Sequence, residues 1–138
     1  MKSFTQNNDR LLVLEKGEEL INALTQYAKD QNLAGGWVTI IGGSEALTIG
    51  FRDPVQKQYI WKEYDEPLEI VGLQGNLAYI NDEPSWHIHG TFSRADYSVI
   101  GGHVKECRIG LTGEVYLQPN STKLIRELDA TTGLNLIK

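Results

Sequence analysis

The sequence predicts an α+β fold, a mostly antiparallel sheet with one main helix, from three observations. Runs rich in β-branched and aromatic residues recur along the chain and stop at clusters of Gly, Pro, Asn or Asp. A single segment carries sustained helical periodicity. Fourteen glycines against four prolines favour tight turns and bulges over long helices. At 138 residues the chain is read as one domain, 1–138, with enough length to bury a core.

In chain order, Leu11 to Leu14 reads as a short buried strand. Gly17 opens a helix from Glu18 to Gln31, in which Leu20, Ile21, Leu24, Tyr27 and Ala28 recur at helical spacing. Glu18 and Glu19 suit its N-terminal dipole, and its stop lies within Asn32 to Gly36. Trp37 to Ile41 is a β-branched run that Gly42-Gly43 ends, and Ala46 to Arg52 is the next strand. An Asp53-Pro54 turn leads to Gln58 to Tyr64, and Asp65-Glu66-Pro67 breaks the chain before Leu68 to Leu73 and Leu77 to Ile80. Asp82-Glu83-Pro84 is a further turn, and Glu114 to Leu117 a further strand. Ser121 to Leu128 fits helix and strand alike. Asp129 to Gly133 is a turn before a closing strand, Leu134 to Ile137.

The chemistry concentrates in the middle. The only three histidines, His87, His89 and His103, fall within seventeen residues. Alternate side chains of a strand share a face, so His87 and His89 point one way while Trp86, Ile88 and Phe92 point the other. Ser93 to Tyr97 is a polar turn, and a hairpin centred near Asp96 sets His89 opposite His103. Three imidazoles with an open fourth position form a zinc-type ligand set. The same residues also fit a solvated strand face that only hydrogen-bonds to its neighbours. His89 is taken as the ligand between the other two. Gly101 and Gly102 leave space beside a metal or permit a bulge. Cys107, ~13 Å along the strand from His103, is too far to be a fourth ligand and reads as a small buried side chain. Glu114 is a weak candidate acid/base partner, set against the commoner solvated carboxylate.

Composition narrows the function. Thirteen basic against eighteen acidic residues give a net charge of −5, with no visible basic cluster, which opposes strong direct DNA binding. No phosphate loop and no Gly-x-Ser-x-Gly elbow is present. No apolar run approaches the ~20 residues of a membrane span, and the first residues show no secretory pattern. Cys107 is the sole cysteine, which excludes an intrachain disulfide and points to the cytoplasm.

Gly17-Glu18-Glu19-Leu20-Ile21, Ile41-Gly42-Gly43, Glu66 to Ile70, Gly72 to Asn76, His87-Ile88-His89 and Val99 to His103 together resemble the plants-and-prokaryotes-conserved (PPC) domain, over about residues 9–137. The prokaryotic branch is the closer match, since it carries the histidines. The resemblance implies a homotrimer and the family's label of predicted DNA-binding protein. The basic Gly-Arg-Pro motif of plant members is absent. Their Gly-Arg-Phe-Glu-Ile-Leu docking segment is reduced to Glu66-Pro67-Leu68-Glu69-Ile70-Val71. The fold also resembles α-acetolactate decarboxylase, whose three zinc-binding histidines correspond to His87, His89 and His103. These resemblances imply a trimeric domain that binds a divalent metal, Zn²⁺ first, through those histidines, with a DNA-associated regulatory role. The alternative is a metal-dependent lyase- or hydrolase-like enzyme acting on a small molecule. DNA-contacting residues, substrate and operator are not legible.

Overall fold

A computed structural model describes residues 1–138 as nine strands and one helix, a mainly β fold. The strands are β1 (Lys2–Gln6), β2 (Asp9–Glu15), β3 (Gly35–Asp53), β4 (Gln58–Tyr64), β5 (Leu68–Ile80), β6 (Glu83–Ser93), β7 (Val99–Asn120), β8 (Arg126–Asp129) and β9 (Leu134–Ile137). The helix, α1, spans Leu20–Asp30. All strand pairings of the main sheet are antiparallel, in the order β1-β2-β7-β6-β5-β3-β4. Because β7 also pairs with β3, strands β3, β5, β6 and β7 close into a ring, and only β1 and β4 are left as edges.

Closure explains why the strands are longer than the sequence suggests. Gly42-Gly43 does not end a strand: β3 continues for 19 residues, with its register shifting against β5 between Ile40 and Gly42 and against β7 between Gly42 and Ser44. Gly42 sits at φ 146, and a Cβ there would lie 2.1 Å from the Thr112 carbonyl oxygen. The glycine supplies a bend that no other residue can adopt, and the bend lets one strand turn round the ring. Likewise Leu68–Ile80 is one strand with an irregularity between Ile70 and Gly72, and Val99–Asn120 joins the His103 arm to Glu114–Leu117.

Other boundaries move for local reasons. Glu19 is the cap rather than a first-turn acid: its carboxylate accepts from the Ile21 and Asn22 N–H groups, so the helix begins at Leu20. The same carboxylate accepts from the Cys107 N–H at 3.0 Å, fastening α1 to β7. Gln31 caps the other end, and Asn32 follows at φ 50. The turn expected at Asp82-Glu83-Pro84 is made by Asn81 and Asp82, at φ 50 and 64. Asn and Asp tolerate that region whereas proline is fixed near −65°, so Pro84 falls inside β6. Strand β1, unforeseen in the sequence, folds back on β2 across Asn7-Asn8. The segment left open resolves as an irregular stretch followed by β8 from Arg126.

The core lies inside the ring and under α1. Leu20, Leu24 and Ala28 of the helix meet Leu12, Leu14, Ile40, Leu73, Leu77, Ile88, Phe92, Val115 and Leu117, all fully buried. At about 25 cal/mol per Å² of apolar surface, this burial is what holds the ring closed. The β8–β9 hairpin lies against the outside of the sheet. It is tied by the Tyr79 N–H to the Leu124 carbonyl, by Arg52 to the Thr132 carbonyl and by Lys57 to the Thr131 carbonyl.

Candidate metal centre

His87 and His89 project from β6 with the alternation expected, while Ile88 and Phe92 are fully buried on the inner face. Trp86 packs against the core and also lines a cavity beside the histidines. The β6–β7 register is the one inferred: His89 pairs directly with His103. The three rings form a nearly equilateral triangle, with centroids 4.9, 5.1 and 5.2 Å apart. One ligand nitrogen from each lies within 4.8 Å of the others. His103 Nδ1 and His89 Nε2 are 3.4 Å apart. Nitrogens bound tetrahedrally at the usual zinc distance stand about 3.3 Å from one another, so this spacing suits a metal. The triangle corrects one expectation, since His89 does not sit between the other two.

The surroundings keep the donors available. Burial lowers the His87 pKa, helped by the Arg126 guanidinium and by His89. Burial, then His87, His89 and Arg126, push His103 down to about 4. Both rings are therefore unprotonated near neutral pH, the form that ligates metals. The sign for stability follows. The unfolded chain takes up these protons below about pH 6.5 and the folded chain resists, so folded stability falls as pH drops from about 6.5 towards 4. A His103→Gln protein lacks this term. Denaturant titrations of metal-free protein at pH 7, 5.5 and 4.5 should therefore show wild type losing stability relative to the variant as acid is added. A constant difference would mean that His103 titrates freely.

Tyr59 and Trp61 of β4, which the sequence did not single out for the site, stack on each other at 4.8 Å and form a wall against His103 at 4.9 and 6.0 Å. Gly50, paired with both His103 and Trp61, makes room for this wall, since a Cβ there would lie 2.6 Å from the indole. The register next to His103 shows no bulge at Gly101-Gly102. Those glycines allow close backbone approach instead, to the Gly90 oxygen (2.6 Å from an added Cβ) and the Gly50 oxygen (2.8 Å). Cys107 is buried, its thiol pushed up to about 11 by burial, and it is not among the grouped ligands. The structure separates Glu114 from the histidines. It is an exposed residue eleven positions along β7 from His103, opposite Val13 and Ile41, where it meets solvent rather than the site.

A cavity of ≈ 260 Å³ adjoins the triad, lined by Tyr59, Trp86, His87, His103, Arg126 and the β9 residues Leu134 to Leu136 among others. A larger hollow of ≈ 560 Å³ lies at the β6–β7 turn and contains no histidine or cysteine. Its cations Lys16 and Arg94 are already paired with Glu45 and Glu66.

Three comparisons bear on this arrangement. The family model of the Plants and Prokaryotes Conserved (PCC) domain matches residues 1–121, taking in β1 and stopping short of the β8–β9 hairpin. The crystal structure of a "putative DNA binding protein" from Bacteroides thetaiotaomicron is similar, with TM-score 0.96, 28% identity, and 99% of this chain and 96% of that one covered. So is a structure described as a metal-containing protein from Archaeoglobus fulgidus, with TM-score 0.89, 29% identity and coverage of 98% and 96%. Acetolactate decarboxylase from Bacillus subtilis subspecies spizizenii shares the fold at TM-score 0.53 and 15% identity, with 82% of this chain and 53% of that one covered. No curated protein matches the sequence.

Proposed function

This chain belongs to the Plants and Prokaryotes Conserved (PCC) domain family, and from that premise we propose that it holds one divalent transition metal per subunit, zinc first, on His87, His89 and His103. The observation that carries the reading is the triangle itself: three imidazoles whose donor atoms lie within 4.8 Å of one another, beside a cavity. A similar structure from Archaeoglobus fulgidus is described as metal-containing, which supports it. Imidazole donors suit zinc and its neighbours. With three protein ligands, a fourth position stays open, and a divalent ion there supplies Lewis-acid polarisation of a substrate oxygen. The function that fits is chemistry on, or recognition of, a small molecule in the adjoining cavity, in a cytoplasmic homotrimer. Elemental analysis of protein purified without a histidine tag tests this directly. About one equivalent of metal per chain is expected, and a negligible content would leave the histidines as surface residues.

A DNA-associated role is the second reading, favoured by the description of the Bacteroides thetaiotaomicron structure. The net charge of −5 weighs against tight binding, because duplex affinity rests on phosphate neutralisation by Lys and Arg. We expect weak, sequence-independent binding at low salt that is lost at physiological salt. Fluorescence anisotropy on a mixed-sequence duplex across a salt series measures this, and a sequence-specific footprint at physiological salt would reverse it.

A further inference from the structure

The β8–β9 hairpin covers the histidines without belonging to the body of the fold. No residue beyond Leu117 is buried, and none beyond it joins the core. The hairpin is a two-stranded sheet of its own, and one isolated bridge, Ile125 to Tyr79, joins its start to the main sheet. Further hydrogen bonds to the sheet come from single side chains: Arg126 Nη2 to Asn76 Oδ1 at 2.7 Å, Arg52 to the Thr132 carbonyl at 2.9 Å and Lys57 to the Thr131 carbonyl at 2.7 Å. Yet Leu134, Asn135 and Leu136 of β9 line the cavity beside His87 and His103. A segment with so few buried apolar contacts opens at low cost while the strands beneath it stay folded.

Arg126 is the tie that reaches a histidine. The same Nη2 faces His87 Nδ1 at 3.5 Å. A guanidinium nitrogen only donates, so this contact suits an imidazole whose Nδ1 is bare and whose proton sits on Nε2. Neither nitrogen is then free for a metal. Coordination through Nδ1 needs the atom that the guanidinium faces. Coordination through Nε2 moves the proton to Nδ1, where a metal-bound histidine donates to an acceptor and His87 would instead meet another donor. The charge acts in the same direction. Arg126 enters none of the protein's ion pairs, and it stands beside the place that a divalent cation would occupy.

We propose that the β8–β9 hairpin is a cover over the histidine triangle, latched by Arg126, and that a divalent metal binds as the latch is released. The coupling rests on the metal reading above, whereas the cover does not. Linkage makes the effect reciprocal: metal on the triangle loosens the hairpin by the factor by which release of the hairpin tightens the metal. Opening also returns a stranded group to water, since Arg126 Nε is buried without a hydrogen-bond partner while the hairpin is down.

Hydrogen exchange read by mass spectrometry, together with zinc titration against a chromophoric chelator, tests both parts on the full chain. In metal-free protein the amides of β8 and β9 should exchange together, at least about tenfold faster than those of β6. Exchange as slow as that of β6 would overturn the cover. Zinc should speed exchange of the hairpin by at least about threefold while slowing it at His87 to His89. Arg126→Met, which keeps an unbranched side chain and removes the charge and the donors, should bind zinc at least about threefold tighter. Its metal-free hairpin should exchange faster than that of the wild type. Asn76→Ala, which leaves the guanidinium and takes away its acceptor, should move both readouts in the same direction. Zinc that binds without changing exchange of the hairpin, or that binds Arg126→Met no more tightly than wild type, would overturn the latch and leave the metal reading standing. Uptake of zinc by neither protein would overturn the metal reading, and the latch with it.

Discussion

Replacing any one of His87, His89 and His103 by alanine should lower zinc affinity by at least about 100-fold, with the three losses alike within about a factor of ten. The equality is the informative part. A ligand in the middle of a row would matter more than its neighbours, but the ring centroids stand at three nearly equal separations. No fourth histidine exists to substitute, and Cys107 is buried elsewhere. The fold should survive each change, because Ile88, Phe92 and Val104, the residues next to the ligands on the inner face, are untouched and buried. Metal content after dialysis, competition with a chromophoric chelator and a thermal melt of each variant decide the matter. Variants that keep wild-type affinity would show that the imidazoles do not form a metal site.

The histidine site was the most legible part of the sequence because it depends on short-range geometry. Period-two alternation placed His87 and His89 on one face, and a constant index sum across the Asp96 turn paired His89 with His103. The closed ring was less legible. Gly42-Gly43 read as a strand end because, locally, a bend within a strand and a break between strands look the same. Which of the two occurs is set by β7 pairing with β3 over most of its length, which at Gly42 and Gly113 joins residues some seventy positions apart. The aromatic wall had a partial signal: Tyr59 and Trp61 share a face of β4, as alternation requires, but their approach to His103 depends on Gly50 lying between. Arg126 had none. Its segment fitted helix and strand alike, and its place beside His87 comes from a hairpin folded back over the sheet to meet Asn76.

Substituting Trp37 and Ile41 together by glutamate should convert a trimer into monomers at micromolar concentration while leaving the secondary structure intact. The reason is the outer face of the ring. In register across it run Phe4, Leu11 and Tyr116, and next to them on β3 stand Trp37 and Ile41 on either side of Thr39. Phe4, Trp37, Ile41 and Tyr116 are each 43–56% exposed, an apolar surface that one chain does not cover. Contiguous patches of this kind on a soluble protein mark association sites, and a stable interface needs about 800 Å² from each partner. Cyclic three-fold assembly would cover the patch on every subunit by the same contact. Carboxylates at positions 37 and 41 would have to be desolvated in that contact, yet they would cost the isolated subunit little because neither side chain belongs to its core. Sedimentation of wild type and the double variant reads the outcome, and a wild type that sediments as a stable monomer would remove the trimer. Trp37 pairs with Asn76, which pairs with His87, so the patch borders the histidine triangle. Zinc removal by a chelator should nevertheless leave the wild-type trimer intact, because the apolar face and not the metal would hold the subunits together. Dissociation on chelation would instead make the metal a structural link between them.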